Sequence, residues 1–564
     1  MGLYTQLPSH IDEVDVVIAG GGTAACVVAS RLADADPCLS ILIIEGGSDN
    51  FNNPTIVNPL FLFLHLLPTS KTTMFYKGVP EQQLANRELV VPSGEILGGG
   101  SSINMLTYSR AQRSDFSSWQ TPGWSADEML PYLKKLETYH GEGTVGRHGD
   151  SGPVHISRGT YSAPRSEDAF IRQDTAHTYL HPRLQNGNYP NLHVLVESRV
   201  IRVLFDDDKR AVGIEFQPSA NVGPDGIQSI RARQVIVPCG ALGTPSVLER
   251  SGVGNEQILG RAGIDVVADV PGVGENYSDH QLVVYPYRSS LLPEETVDGL
   301  VAGRVDPTEI IRTQNPVLGW NAMDITCKLR PSEADVVGFG PQLLEKWNHD
   351  FRINPNKPMA LMSLISTFPG DHGTISPGQY FAVSAFTVYP YSRGHIHISG
   401  SGLDDLDFKT GFFSDSDQVD IKKCAWAYKK QREIVRRMDV YRGELALGHP
   451  PFDANSKAAC VELDGPLGTD IKDIEYTPED DAVLEQWLRE NVNTTWHSLG
   501  TCKMAPREVM GVVDANLSVY GVKGLKVADL SIPPLNVAVN TNNTAIAVGE
   551  KAADIFIWEL GLAA

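Results

Sequence analysis

Apolar residues fall along this chain in short bursts closed by glycine, and the first burst sets the pattern. Val14 to Ala19 is a run of β-branched and small apolar residues ending at Gly20-Gly-Gly22, which predicts a buried strand and a tight turn. Ala24 to Ala33 carries the small residues of a closely packed helix, and Leu39 to Ile44 predicts a second strand closed by Glu45. The predicted unit is strand–helix–strand, with Gly20-x-Gly22-x-x-Ala25 at the turn and an acid at the second strand's tip. Gly20 permits the turn, Gly22 lets the backbone approach a pyrophosphate, and Ala25 sits where helix meets strand. The helix N-terminus offers free N–H groups and positive dipole to phosphates. Glu45 suits the two hydroxyls of an adenosine ribose, and its charge argues against a 2′-phosphate.

Further along, Val90 to Asn104 holds Gly98-Gly-Gly-Ser-Ser-Ile-Asn104, a glycine run followed by hydrogen-bonding side chains that predicts a loop touching a flat ligand. Ser125 to Glu137 has helical spacing. Val194 to Leu204 and Ala211 to Phe216 alternate like antiparallel strands. Gln234 to Ala241 is another buried strand ending in glycine, with a helix from Thr244 to Arg250. From about 290 to 480 the texture shifts to long loops, proline and charge runs. After Asp480 a helix leads into Trp496-His-Ser-Leu-Gly-Thr-Cys-Lys-Met504, then a strand, Leu525 to Asp529, and a helix, Asn540 to Asp554. Strand–helix units at both ends of the chain predict a discontinuous nucleotide domain interrupted by a second domain.

Composition narrows the class. With 564 residues, two large domains are expected, and 42% hydrophobic with 20% charged residues describes an ordinary globular protein. A formal charge of −21 disfavours nucleic acid or an anionic membrane as partner. The most apolar run, Ile56 to Leu67, is too short to span a bilayer and contains Asn58, Pro59 and His65, so it reads as buried or pocket-lining. Seven scattered cysteines without a CxxC disfavour a disulfide scaffold and a zinc site, and no metal is expected. Met1 to Glu13 is polar and acidic, unlike a secretory signal, and Gly561-Leu-Ala-Ala564 is unlike a peroxisomal tail; a cytoplasmic location is the expectation.

These motifs recur in a known order. The opening unit, Gly98 to Asn104, Gly240-Ala-Leu-Gly-Thr-Pro-Ser246, Pro271-Gly-Val-Gly-Glu-Asn-Tyr-Ser-Asp-His280, Tyr391-Ser-Arg-Gly394, Trp496 to Met504, Asp529-Leu-Ser-Ile-Pro533 and Asn540-Thr541 follow one another. The chain resembles the glucose–methanol–choline (GMC) oxidoreductases from end to end, and the alcohol (methanol-type) oxidases most. The resemblance implies an α/β plus α+β fold: a discontinuous Rossmann-like FAD domain (1–155, 190–290 and 485–564) and a substrate-binding domain on an antiparallel sheet flanked by helices (156–189 and 291–484). It implies that Gly20, Gly22, Thr23, Ala24 and Glu45 hold the ADP half of FAD, with Val200 at the adenine side. Ser101, Asn104 and Met105 would lie along the flavin, with Asp529, Asn540 and Thr541 closing over its end. Val91 stands where relatives with a linked flavin carry histidine, so non-covalent FAD is expected.

The same resemblance gives His497 the part of proton acceptor, a task suited to imidazole near neutral pH. Asn540 cannot titrate and would orient the substrate oxygen. Trp496 and Met105 would wall the substrate pocket; Met105 replaces a phenylalanine and deforms more easily, which favours a primary alcohol larger than methanol. The expected reaction is oxidation of a primary alcohol to an aldehyde with O2 reduced to H2O2. A dehydrogenase of secondary metabolism with another electron acceptor, and a non-redox flavin-binding relative, stay open, as does assembly into a homo-oligomer.

Overall fold

The structure is a computed structural model and describes residues 2–141, 146–157, 171–220 and 226–562. The opening pattern folds as expected. Strand Glu13–Ala19, helix Thr23–Ala35 and strand Ile41–Ile44 form the unit, and the two strands pair in parallel with Val17 beside Leu42. On the far side of Ile41–Ile44 lie Leu192–Leu195 and then Leu3–Tyr4, both parallel. On the other side lies the long strand Gln228–Val237. Its N-terminal half pairs antiparallel with Ala211–Pro218, and its C-terminal half pairs in parallel with Leu525–Val527. The C-terminal segment of the chain is thereby built into the first sheet.

Val194 to Leu204, read as a single strand, is two. Leu192–Leu195 ends in the parallel set and Ser198–Phe205 begins an antiparallel hairpin with Ala211–Pro218. Glu197 between them has φ +56°, a left-handed kink that an alternating pattern does not reveal.

Behind the sheet, the helix Thr23–Ala35 packs against Asn542–Glu559. Gly549 makes this closeness possible: a Cβ there would lie 3.0 Å from the Val27 Cβ and 3.1 Å from the Ala24 Cα. The first turns of both helices, at Thr23 and Ala24 and at Asn542 and Ala545, line one cavity between the layers.

The second layer is a six-stranded antiparallel sheet in the order Ile325–Leu329, Ala360–Ile365, Tyr380–Thr387, Gln281–Ser289, Tyr441–Glu444, with Asn493–Thr494 also on Gln281–Ser289. Helix Val419–Arg436 packs on Tyr380–Thr387, and Pro478–Asn491 packs on that helix. The latter starts at a capping box in which the Thr477 hydroxyl accepts from the Asp480 N–H. Two separate cores result, one around Val16, Ile43 and Val235, the other around Tyr285, Phe381 and Tyr428.

Packing draws the domain edges differently from the sequence reading. Of the segment 156–189, residues 158–170 lie outside the described residues; Ala176, Tyr179 and Leu180 belong to the nucleotide-side core, not the second domain. Gln281–Ser289, read with the nucleotide domain, lies inside the antiparallel sheet, and Trp487 and Leu488 of the Pro478–Asn491 helix, also read with that domain, join Leu484 in the second core. In each case partners lie about a hundred residues or more away, which local texture does not register. Among the described residues no helix is long and apolar enough to cross a membrane.

The helix crossing gives a direct test. Gly549→Val should overpack the contact with Ala24 and Val27 and destabilise the protein by about 1–3 kcal/mol, read as a lower thermal unfolding midpoint; an unchanged midpoint would show that the helices have room to separate.

Candidate active site

A cavity of about 910 Å3 lies between the two layers and collects residues from both ends of the sequence. At one end are Gly20, Gly22, Thr23, Ala24, Glu45 and Val200. Gly20 has φ +97°, the left-handed turn that its place in the motif demands. No side chain caps the Thr23–Ala35 helix at Gly22, so its first N–H groups open toward the cavity. Glu45 accepts from the Gly21 N–H at 2.6 Å and the Gly47 N–H at 2.8 Å, one to each carboxylate oxygen. Burial raises its pKa and these two backbone bonds oppose the rise.

At the other end, Asn104, Met105, Asp529, Asn540 and Thr541 line the space beside Trp496 and His497. Asp529 is buried and accepts from the Gly240 N–H, the Thr244 hydroxyl and the Ser531 N–H, so it fixes the loop at the start of helix Gly240–Arg250. The Asn104 Oδ1 takes a bond from buried Arg172 and another from the Leu106 N–H. Asn540 carries a buried Oδ1 without a partner, and its Nδ2 lies 3.4 Å from the Nε2 of His497.

Ser101 does not reach the cavity. Its hydroxyl donates to the Gly98 carbonyl at 2.6 Å and accepts from the Thr175 N–H at 3.0 Å, so it faces the Thr175 turn. Gly99 and Gly100 line the cavity in its place, and a Cβ on Gly99 would lie 2.8 Å from the Gly22 Cα. The glycine run therefore serves the approach of two backbones as well as room for a ligand.

His497 is held by the carboxylate of Asp279. Asp279 accepts from the backbone N–H of His497 and of His280, and from the hydroxyls of Thr494 and Thr495. Burial pushes the Asp279 carboxyl up to about 6 and the His497 imidazolium down to about 3, so His497 is neutral across the physiological range. Trp496 beside it is half-buried, donates its N–H to the Thr494 hydroxyl, and has φ +63°.

The outer wall is apolar: Phe63, Leu66, Met323, Ile365 and Phe386 face the cavity. Phe63 and Leu66 belong to the run Ile56 to Leu67, whose composition reads as buried or pocket-lining. Met323, Ile365 and Phe386 escaped the sequence reading, as did Asp279 and His280 within the turn-rich loop at 271–280. An Asp-His pair in such a loop was the available signal for the last two. Among the described residues no His, Cys, Asp and Glu cluster could hold a metal, and all seven cysteines are free thiols.

Residues 14–172 and 166–282 match the N-terminal sequence profile of the GMC oxidoreductases, and residues 390–549 match the C-terminal one. The chain belongs to the GMC oxidoreductase family. It is 36% identical to an alcohol oxidase of Candida boidinii and 35% identical to one of Pichia angusta, in each case over 98% of this chain and 96% of the relative. An FAD-dependent oxidoreductase from Chaetomium thermophilum shares the fold with TM-score 0.76 at 24% identity, over 98% of this chain and all of the other. The family is FAD-dependent, and the cavity fits that cofactor. An uncapped helix N-terminus and a ribose-type acid face one end, and an unpartnered amide oxygen lies at the other.

Burial of neutral histidines makes stability pH-dependent. His65 and His449 are pushed down to about 4 and His497 to about 3, from an ordinary 6.5. The unfolded chain therefore takes up these protons first, and stability falls as pH drops from 6.5 toward 4. Asp279, raised to about 6 from 3.8, has the opposite sign over part of that range, while His181, also pushed down to about 4, and His280, pushed well below 6.5, add to the fall. A thermal unfolding midpoint lower at pH 5 than at pH 7 is expected by calorimetry; an equal or higher one would show these histidines charged in the fold.

Proposed function

We propose that this protein is an FAD-dependent alcohol oxidase that converts a small primary alcohol, larger than methanol, to its aldehyde and reduces O2 to H2O2. The observation that carries the reading is the neutral His497 imidazole beside Asn540, at the end of a cofactor-sized cavity. The kinship with alcohol oxidases supports it.

His497 takes the hydroxyl proton at Nε2, the nitrogen that faces Asn540. Asn540 has an amide that cannot titrate, and it holds the alcohol oxygen in line with that nitrogen. The chemistry that FAD would supply when bound is acceptance of the carbinol hydride and its return to O2 as an electron pair. Gly22, Thr23 and Ala24 would hold its pyrophosphate, Glu45 its ribose, and Val200 the adenine side, while Met105, Asp529 and Thr541 would keep the flavin end in place. Trp496, Met105, Phe386 and Ile365 exclude water and leave room for a short carbon chain. Met105 is the pliable part of that wall, which is why methanol is not the preferred substrate. Val91 is fully buried in the second core and offers no nucleophile, which supports FAD held without a covalent link.

Anaerobic addition of a series from methanol to hexanol, with benzyl alcohol and glucose, should bleach the visible flavin band, fastest for alcohols beyond methanol. Admitting air should restore the colour and release H2O2. His497→Ala should slow bleaching by about 100-fold or more. Bleaching that persists in air would make the protein a dehydrogenase, and no bleaching by any alcohol would sink the reading. Precipitating the protein should leave FAD in the supernatant; colour in the pellet would refute non-covalent binding.

A further inference from the structure

A second histidine stands behind His497. The Nδ1 atoms of His280 and His497 lie 3.0 Å apart, and the rings meet edge to face with centroids 5.1 Å apart. Phe386 stacks on His280 at 5.2 Å and meets His497 at 5.6 Å, so the two imidazoles and the phenyl ring hold one another's orientation. The backbone N–H groups of both histidines donate to the same oxygen of Asp279, at 2.7 and 3.0 Å. The pair is thus fixed by backbone as well as by side chain.

Two nitrogens 3.0 Å apart hold one proton between them. If both carried hydrogen they would repel, and if neither did, two lone pairs would meet. The neighbour of His497 on its other side decides which ring has it. There the Nδ2 of Asn540, a donor, faces the Nε2 of His497 at 3.4 Å, while the Asn540 Oδ1 has no partner. A donor on that side favours the lone pair of His497 at Nε2. The shared proton then belongs to Nδ1 of His497, and His280 meets it with the lone pair of its own Nδ1; the Nε2 of His280 is buried and has no hydrogen-bond partner.

We propose that His280 is a positioning residue: it accepts the Nδ1–H of His497 and so fixes the tautomer in which Nε2 of His497 is free to take a proton. The proposal rests on the reading of His497 as the base. In the reaction the alcohol O–H bond breaks, its proton forms a bond to Nε2 of His497, and the Nδ1–H stays in place. The resulting imidazolium is a stronger donor, so its bond to His280 strengthens as the charge appears. The opposite tautomer would aim an N–H at the substrate and leave nothing there to accept its proton.

Replacement by two amides separates this role from mere packing. Asn sets an oxygen near the place of Nδ1, whereas Gln sets its amide near the place of Nε2. In the FAD-loaded enzyme, His280→Gln and His280→Leu should slow anaerobic bleaching by about 100-fold, with FAD content and KM little changed. His280→Asn should recover most of that loss. Independently of turnover, ¹⁵N-histidine NMR should show the lone pair of His497 at Nε2, its signal assigned by loss in His497→Ala. That signal should hold in His280→Asn and split between the two nitrogens in His280→Gln. Equal rates for Asn and Gln, or an unmoved signal in Gln, overturn the proposal even if the Leu variant does not fold. Loss of activity in His497→Ala with parental rates in the His280 variants overturns the positioning role alone. A fully active His497→Ala overturns the base assignment and this proposal with it.

Discussion

The structure depends on buried carboxylates that bind backbone N–H groups across long distances in the chain. Asp279 joins 279–280 to 494–497, Asp529 joins the C-terminal strand to residues 240–244, and Glu45 joins two glycine turns. Glu81 takes the N–H groups of Thr410 and Gly411, Asp298 those of Phe368 and Tyr380, and Asp115 those of Gln112 and Ala538. A carboxylate accepts several such bonds at once, and in a dry interior each is stronger than a neutral pair. A discontinuous domain needs fasteners of this kind, because the segments that form it have no short loop between them. The strongly acidic composition reads differently in this light: part of it is internal, engaged with the backbone.

The cavity inherits its shape from those fasteners. Both helices that open on it are held at a glycine contact, and the loops that carry His497 and Asp529 are each pinned by their own acids. The reactive end is consequently built on rigid supports, although its residues come from distant parts of the sequence. A pre-arranged site of this sort spends little reorganisation at the moment of reaction.

Much of this was legible in the sequence because the chemistry of a strand–glycine–helix turn is local. The strand Glu13–Ala19, the left-handed Gly20 and the place of Glu45 all follow from neighbours within thirty residues. Spacing does not reveal that the Ser101 hydroxyl turns to the Thr175 N–H rather than into the cavity. The packing of Ala176, Tyr179 and Leu180 into the first core, and of 281–289 into the antiparallel sheet, is set in the same way by partners far along the chain. His280 sat in a quoted motif but read as part of a turn, because its meaning depends on a ring 217 positions away.

Trp496 adds a consequence for how such a pocket changes over generations. A bulky aromatic residue at φ +63° holds a backbone conformation that side chains with a Cβ resist, and that asparagine or glycine adopts readily. Exchange for either would relax the main chain while removing the ring from the cavity wall. Widening the chamber here therefore does not pull against folding, as it does where a buried core residue is cut back. The breadth of substrates accepted is, at this position, a trait free to drift toward larger alcohols, and a narrow pocket persists only where selection holds the tryptophan in place.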